Sequence, residues 1–385
     1  MLKDISIDEL QPGMYVSRVL EQTGSMRVRS GGLVKSEAII EQLRAKGIVR
    51  IEIDYARSKL TSKQHKALPP ATGAAFLKAS ALYTKAVSLQ KNLLEQLKNG
   101  ATRDLNSADE LARHIIDNVF ENQNAMACLA MIKNADEYLL EHSINCSILM
   151  AIFATHLSFN RATVDELCTG ALLMDVGMAQ IPEPIRLKQG SLTTDEWQVI
   201  QSHVPKGLAL VDGFAGIAKD VRQIIAQHHE RVDGSGYPEQ LEGNSISLFA
   251  RMAAIVDSYD AMISNRSHQR AVAPAVALKR LSTQTGLDQQ LVRQFVRCIG
   301  VHPVGSLVKL QSGRLAIVAQ ANQEDMLKPV VMTFYSINSD SYSEIKRLDL
   351  TKTNDDIVAS VRPDDFGINL PRFFRDVFIH QMPDA

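Results

Sequence analysis

The chain contains few cysteines, and none of them lie close together in the sequence. The four are Cys128, Cys146, Cys168 and Cys298, and they form no CxxC pair. This spacing argues against a disulfide framework and is typical of a protein that works in a reducing compartment. The first residues, Met1-Leu2-Lys3-Asp4, lead into a polar segment and do not resemble a signal peptide. We therefore expect a cytoplasmic protein.

A large excess of charge of either sign is also absent. The 42 Lys and Arg residues nearly balance the 43 Asp and Glu residues, so the net charge is −1. No global field favours nucleic acid or a membrane surface, and an anionic ligand would need a local basic patch. No apolar run approaches the roughly 20 residues of a membrane span, and the short run from Ile148 to Ala154 is typical of a buried helix.

The composition is that of a globular protein, with 45% apolar and 22% charged residues, and a length of 385 residues suggests two or three domains. The first of these reads as a small α+β module. Met14-Tyr15-Val16 begins a strand-like run after a turn at Pro12-Gly13. Ser36 is positioned to cap a helix, and the segment from Ile48 to Ile53 alternates like a second strand.

Helical patterns dominate the middle of the chain. Two stretches, at about 74–99 and 107–132, either brace the next domain or form a homodimer interface. Thr193 and Glu196 fit a capping box, and the predicted helix runs on to His203. After Gly300 the pattern changes to alternating β-branched residues, which predicts a small β appendage.

The sequence therefore predicts a mainly α protein, in which an all-helical domain lies between a small N-terminal α+β module and a short C-terminal β appendage. The predicted segments are 1–56 (the α+β module), 57–73 (a linker), 74–132 (the bracing or dimerisation helices), 133–300 (the all-helical domain) and 301–385 (the β appendage and tail).

One stretch combines two adjacent histidines with a shaped turn. It reads His228-His229-Glu230-Arg231-Val232-Asp233-Gly234-Ser235-Gly236-Tyr237-Pro238 and closes a largely apolar helical run. Glycine permits positive φ and proline fixes the exit, so the imidazoles are expected where a helix ends in a loop, a common setting for a metal or phosphate site. The stretch resembles the signature of the HD-GYP family, bacterial metal-dependent phosphodiesterases of cyclic di-GMP signalling.

This resemblance covers the predicted all-helical region and implies an HD-type domain at 133–300, with metal ligands spread over several helices. In the family's order the matching residues are His142, Asp175, His203, His228, His229 and Asp257. Two ions about 3.5–4 Å apart can neutralise a phosphodiester, and imidazole and carboxylate ligands suit Fe or Mn. Asp175 would bridge the two ions. The N-terminal module resembles a domain of unknown function that is often fused to such domains.

Two positions next to Asp175 depart from the family pattern. Met174 stands where the family has a histidine, and Met178 stands where it has a lysine. A thioether is a poor ligand for Fe or Mn, so the resemblance implies one bound ion instead of two, or none. If this segment is helical, Met174 and Met178 share a face and make one side of the pocket apolar. Tyr138 replaces a glutamate that some members use for a third ion, so no third ion is expected.

The resemblance also implies contacts to cyclic di-GMP. Arg266 matches an arginine that holds the phosphates in relatives, although it could equally be a solvated charge. Gln269 replaces the family lysine, and the adjacent Arg270 could substitute for it. Tyr237, preceded by Gly236, would stack on guanine or wall the loop. Diguanylate cyclase domains are the implied protein partners of the Gly-Tyr-Pro loop.

Two functions remain open on the sequence. The first is a degenerate HD-GYP protein that binds cyclic di-GMP or a partner protein with weak or no turnover. The second is an active metal-dependent phosphodiesterase that converts cyclic di-GMP to pGpG or GMP. The retained ligands favour activity, whereas Met174 and Met178 favour the degenerate function, which we prefer. A general HD nucleotidase fits poorly, because the Gly-Tyr-Pro string is specific.

Overall fold

The structure of the protein is a computed structural model. The chain forms two compact units: residues 1–66 together with 155–160, and residues 67–154 together with 161–385. Among the described residues, no helix combines the length and the apolar character needed to cross a bilayer. The predicted linker at 57–73 lies almost entirely outside the described residues. These are 2–23, 31–54, 57–58, 73–99, 106–132, 138–212, 214, 216–265, 270–322 and 325–374.

The smaller unit contains a four-stranded antiparallel sheet with the strand order β1-β4-β2-β3. Ile51 and Ile53, in the strand at 48–54, are fully buried, and so is Ile40, in the helix at 37–45. Ser36 occupies the N-cap position but its side chain makes no capping hydrogen bond. The first strand was not predicted, because it lies in the polar N-terminal segment. The elements are β1 (Leu2–Ser6), β2 (Tyr15–Gln22), β3 (Gly32–Leu33), α1 (Glu37–Ala45) and β4 (Ile48–Asp54).

The larger unit is built mainly from helices, which confirms the prediction of a mainly α protein. The helices are α2 (Gly73–Lys98), α3 (Asn106–Glu121), α4 (Gln123–Met131), α5 (Tyr138–His156), α6 (Arg161–Leu173), α7 (Glu183–Arg186), α8 (Thr194–Gln201), α9 (His203–Val211), α10 (Lys219–Gln227), α11 (Leu248–Ile263), α12 (Pro274–Thr283), α13 (Gln289–Ile299) and α14 (Leu370–Phe373).

Helices α5, α11 and α13 share an aromatic core. The ring of Phe295 meets Phe153 and Tyr259 edge to face, at centroid distances of 5.3 and 5.4 Å. All three side chains are fully buried, so their packing holds the three helices together. Residues 141–154 of α5 are buried without interruption, which explains why this helix is apolar on all sides.

Two predicted helices are each interrupted once. The stretch at 107–132 divides at Asn122, whose side chain accepts a hydrogen bond from Ala125 N at 2.9 Å and caps α4. The capping box of Thr193 and Glu196 is present, but α8 ends at Gln201 and His203 begins α9. Pro205 explains this second break, because proline has no N–H to donate to the carbonyl four residues earlier.

A five-stranded antiparallel sheet follows the helices, with the strand order β8-β7-β6-β5-β9. Gly313, at φ +77°, forms the turn between the strand at 307–310 and the strand at 314–320. The predicted β appendage is thus present, and it contains two strands that the sequence pattern did not indicate, β8 and β9. The strands are β5 (Leu307–Leu310), β6 (Arg314–Gln320), β7 (Val330–Ser336), β8 (Ser341–Asp349) and β9 (Ile357–Ser360).

Candidate metal centre

The structure brings all six predicted metal ligands together from five helical segments. His142 lies on α5 and Asp257 on α11, whereas Asp175 lies in the turn that follows α6. His203 is the first residue of α9, and His228 and His229 directly follow the last residue of α10. The side chains form two groups whose ligand atoms lie within 4.8 Å of one another, and Asp175 belongs to both.

The first group, called here the four-residue cluster, consists of Asp175, His203, His228 and His229. Oδ1 of Asp175 lies 3.3 Å from Nε2 of His203 and 3.7 Å from Nε2 of His228. The Nδ1 atoms of these two rings lie 2.7 and 3.0 Å from the carbonyls of Ile200 and Ile225. A proton on each Nδ1 donates to the carbonyl and leaves the Nε2 lone pair facing the cluster, as a metal requires.

The second group, called here the three-residue cluster, consists of His142, Asp175 and Asp257. Nε2 of His142 lies 3.2 Å from Oδ2 of Asp175 and 3.2 Å from Oδ1 of Asp257. Oδ2 of Asp175 therefore serves this cluster while its Oδ1 serves the other. A carboxylate that presents one oxygen to each of two histidine groups has the arrangement of a bridging ligand.

The protonation states of these side chains suit a cation. Burial alone would raise the pKa of Asp175, but its contacts with the rings of His142 and His228 lower it well below the usual range. Burial would likewise raise the pKa of Asp257, but its contact with the ring of His142 outweighs this effect and lowers the pKa. For His203 and His229, burial lowers the pKa, and the neighbouring His228 lowers it further. Ionised carboxylates and neutral imidazoles are the forms that bind metal.

A third group, His142 with Cys146 and Asp260, also lies within ligand distance. Burial raises the pKa of the Cys146 thiol to about 12, and sulfur is a soft donor that suits Fe or Mn less well than carboxylate or imidazole does. Nδ1 of His142 lies 2.8 Å from Oδ2 of Asp260. The carboxylate of Asp260 thus holds the ring so that Nε2 faces the three-residue cluster.

The two methionines next to Asp175 do not share one face of an α-helix. Helix α6 ends at Leu173, and a 3₁₀ turn begins at Val176, so the helical spacing expected between Met174 and Met178 does not apply. Met174 is fully buried, whereas Met178 is partly exposed. An added Cβ at Gly177 would lie only 1.9 Å from the carbonyl oxygen of His203. A glycine is therefore required where this turn packs against α9.

The Gly-Tyr-Pro loop folds back onto His229. The ring of Tyr237 stacks on the imidazole of His229 with centroids 4.6 Å apart, and Tyr237 N donates to His229 O at 3.2 Å. An added Cβ at Gly236 would lie 2.4 Å from Arg231 N, so this position requires a glycine for backbone packing. The buried carboxylate of Glu230 accepts hydrogen bonds from the backbone N–H groups of Glu239 and Leu241, at 2.7 and 3.0 Å.

The predicted ligand contacts are only partly within the structure. Arg266 lies outside the described residues, and Arg270 is exposed. The segment that carries both residues is flanked by Asn265 and Ala271, which line a cavity of about 1070 Å³. His142 lines the same cavity, which therefore adjoins the three-residue cluster. A space of this size exceeds the usual range of small-ligand pockets.

Three residues of this region have roles that the sequence pattern did not indicate. Asp260 orients His142, and Glu230 accepts hydrogen bonds from the backbone of the Gly-Tyr-Pro loop. Gly177 permits the close approach of the Asp175 turn to α9. The spacing of Asp257 and Asp260 was an available signal, since residues three apart on a helix share a face. Glu230 lies within the signature stretch, but nothing in the sequence indicated that it would accept hydrogen bonds from the backbone of the same loop. Gly177 gave no such signal either, because the carbonyl that it approaches belongs to a residue far away in sequence, His203.

Comparisons with known proteins match two parts of the chain to known families. Residues 126–291 match a family described as HD domain, and residues 2–108 match a domain of unknown function, DUF3391. The chain is similar to a protein of Pseudomonas aeruginosa named cyclic di-GMP phosphodiesterase PA4108. The two are 31% identical over 358 residues, which cover 88% of this chain and 86% of that protein.

Two further relatives match about half of the chain. The cyclic di-GMP phosphodiesterase response regulator RpfG of Xanthomonas campestris pv. campestris is 32% identical over 203 residues, covering 52% of this chain and 49% of that protein. A protein of Vibrio cholerae named 3'3'-cGAMP-specific phosphodiesterase 2 is 28% identical over 190 residues, covering 46% of this chain and 36% of that protein. The names of these relatives thus include two different cyclic dinucleotides.

Proposed function

The chain belongs to the HD-GYP family of HD-domain proteins, and on this premise we propose that it binds cyclic di-GMP at its metal centre and hydrolyses it weakly or not at all. The observation that carries the proposal is the placement of Asp175, whose two oxygens face His142 on one side and His203 and His228 on the other. A centre of this kind suits an anionic phosphodiester, because cations held there neutralise its charge.

The residues of the two clusters would hold divalent ions, with Fe or Mn as the candidates that suit imidazole and carboxylate donors. When bound, such ions act as Lewis acids toward the phosphodiester oxygens. The chain's own contribution is to fix the donors. The carbonyls of Ile200 and Ile225 orient His203 and His228, and Asp260 orients His142. Each orienting group leaves one ring nitrogen available as a ligand.

Weak turnover follows from the unequal donor sets. The four-residue cluster offers three imidazoles and a carboxylate, whereas the three-residue cluster offers one imidazole and two carboxylates. Met174, which directly precedes Asp175 in the sequence, is fully buried, and its thioether is not a hard donor. Met178 supplies no cation to steady the phosphate or the leaving group. We propose that only the four-residue cluster holds its ion tightly.

The second candidate function is an active phosphodiesterase that releases pGpG or GMP. One observation favours it, namely the number of ligands in the three-residue cluster. Three protein ligands are too few for a structural metal site, but they are enough for a catalytic one. Catalytic metal sites commonly have three protein ligands and keep a further position open for substrate. His142, Asp175 and Asp257 match that number.

Substrate contacts complete the proposal. Tyr237 is held against His229, and Arg270 is exposed beside the segment that carries Arg266, so these residues remain the proposed contacts to base and phosphate. The cavity beside His142 provides room for part of a dinucleotide. Diguanylate cyclase domains as partners of the Gly-Tyr-Pro loop, a cytoplasmic location and a homodimer through residues 74–132 stay predictions.

The deciding experiment measures binding and product formation on the same metal-loaded protein. Calorimetry with cyclic di-GMP is expected to show binding, and chromatography is expected to show little pGpG or GMP after addition of Mn or Fe(II). Asp175→Asn should abolish binding, because it removes the charge that both clusters share. Brisk product formation by the unaltered protein would establish the second candidate, and a complete absence of binding would refute both.

A further inference from the structure

Trp197 is a large aromatic side chain on the surface next to the metal centre. It is the only tryptophan of the chain, and 45% of its surface is exposed. Isolated apolar residues on a surface are common and need no explanation. The surroundings of Trp197 distinguish it, because they fix its position and connect it to a candidate metal ligand.

The start of helix α8 is anchored directly beside Trp197. Thr193 Oγ1 accepts from Glu196 N, and the Glu196 carboxylate accepts from Thr193 N at 2.7 Å. The ammonium of Lys188 lies 2.6 Å from the same carboxylate. A capping box reinforced by an ion pair holds the first turn of a helix in place. The indole is therefore presented from a fixed backbone.

A row of aromatic rings leads from Trp197 to the four-residue cluster. The indole meets Tyr237 edge to face with centroids 6.3 Å apart, and Tyr237 stacks on His229 at 4.6 Å. His229 is also the most accessible member of the cluster, with 17% of its side chain exposed, whereas His203 and His228 are at 2% and 0%. The aromatic row thus borders the side on which the cluster is open to solvent.

We propose that Trp197 is a stacking platform for a purine base of a nucleotide whose phosphate lies at the metal centre. The inference rests on the proposed function and adds to it a residue outside the Gly-Tyr-Pro loop. An exposed indole two ring contacts from His229 offers a flat π surface to a base. Base–aromatic stacking tolerates different bases, because every base has a π-face. Trp197 is therefore expected to strengthen binding of cyclic di-GMP and 3'3'-cGAMP alike.

The single tryptophan makes the test direct. Titration of metal-loaded protein with cyclic di-GMP should change the indole fluorescence, whereas ribose 5-phosphate, which has no base, should not. By calorimetry, Trp197→Ala should weaken binding of both cyclic dinucleotides by about 10- to 100-fold, the size expected for one lost base–aromatic stack. Trp197→Phe keeps a smaller ring and should retain part of the affinity.

Leu187→Ala is the matched control, because Leu187 precedes the same helix, is 51% exposed and has no place in the aromatic row. The affinity of this variant for both cyclic dinucleotides should equal that of the unaltered protein. Metal content and thermal unfolding of each variant confirm that the centre is intact. If the unaltered protein binds and Trp197→Ala binds equally well, the inference is wrong and the proposed function stands. If the loss affects one dinucleotide alone, the stacking role is wrong, and if the unaltered protein binds neither, both proposals fail.

Discussion

His142 and Asp260 form a buried pair in which Nδ1 of the ring lies 2.8 Å from Oδ2 of the carboxylate. Asp260 is fully buried one helical turn after Asp257, so α11 supplies both a candidate metal ligand and the group that orients another. Replacing Asp260 should therefore affect metal binding although Asp260 itself need not touch the ion.

We expect Asp260→Asn to weaken metal binding at the three-residue cluster by about 10- to 100-fold, the usual effect of losing a group that orients a ligand. The four-residue cluster should keep its affinity, because its histidines are oriented by backbone carbonyls. Metal titration followed by elemental analysis measures both effects. Ser258→Ala, on the same helix, is the control. Equal loss at both clusters would show a general unfolding of the centre instead.

The protein should hold at most one tightly bound equivalent of Fe or Mn. The double change His228→Ala, His229→Ala should abolish that binding and lower the thermal unfolding temperature, because an ion that binds only the folded state stabilises it. Unfolding in the presence of a chelator separates the metal effect from lost packing. Two tightly bound equivalents per chain would contradict this expectation.

Met174→His and Met178→Lys should raise turnover of cyclic di-GMP. The histidine adds an imidazole donor next to Asp175, and the lysine adds a cation for the reacting phosphate. The two changes act on one transition state, so their effects should not simply add. Each tenfold gain corresponds to about 1.4 kcal/mol of barrier. Product formation by both single variants and the double variant, in Mn and in Fe(II), is the measurement. A double variant no faster than a brisk unaltered enzyme would rule out the degenerate function.

Gly236→Ala should destabilise the Gly-Tyr-Pro loop by about 1–3 kcal/mol, the usual cost of overpacking. The added Cβ would meet backbone atoms of Arg231, Glu230 and His229, and none of these can rotate away. Denaturant unfolding gives the free energy. Gly32→Ala serves as control, since a Cβ there meets nothing within 4 Å. Equal stability of the two variants would mean that the loop adjusts without strain.

Without metal, the protein should lose stability as the pH falls below about 6.5. His203 and His229 have pKa values lowered by burial from 6.5, so below that value the unfolded chain binds more protons than the folded one. The contribution of these two histidines to the free energy of unfolding is complete above pH 6.5 and declines as the pH falls. Thermal unfolding in chelator between pH 8 and pH 5 measures it. His229→Gln should flatten the profile, and an unchanged slope would remove His229 as a cause.

The sequence was sufficient to place the candidate ligands, because the residue types, their order and their spacing matched a known signature. All six come together in the structure. It was sufficient for the long apolar helices as well, since α5 is buried along most of its length. Strand β8 could not be predicted this way, because most of its residues are exposed and no apolar alternation marks it.

Helix ends were less predictable for a related reason. The apolar pattern continues across Asn122 and across Ser202, whereas the breaks depend on single residues, a capping amide and a proline. Asp260 and Glu230 were not recognised because their roles depend on partners that only the fold brings near. A sequence pattern along one helix indicates which residues share a face, but it does not indicate which atoms of other segments will contact that face.

The contact at Gly177 has a consequence for the choice of metal. Because an added Cβ would lie 1.9 Å from the carbonyl oxygen of His203, the distance between Asp175 and His203 depends on two backbone segments packed against each other. The backbone separation of these two residues is therefore fixed, and the donor atoms that they and their neighbours present decide which cation suits the site. The four-residue cluster presents three imidazoles and one carboxylate. A cation such as Ca²⁺, which takes six to eight oxygen ligands at about 2.3–2.6 Å, does not suit that donor set.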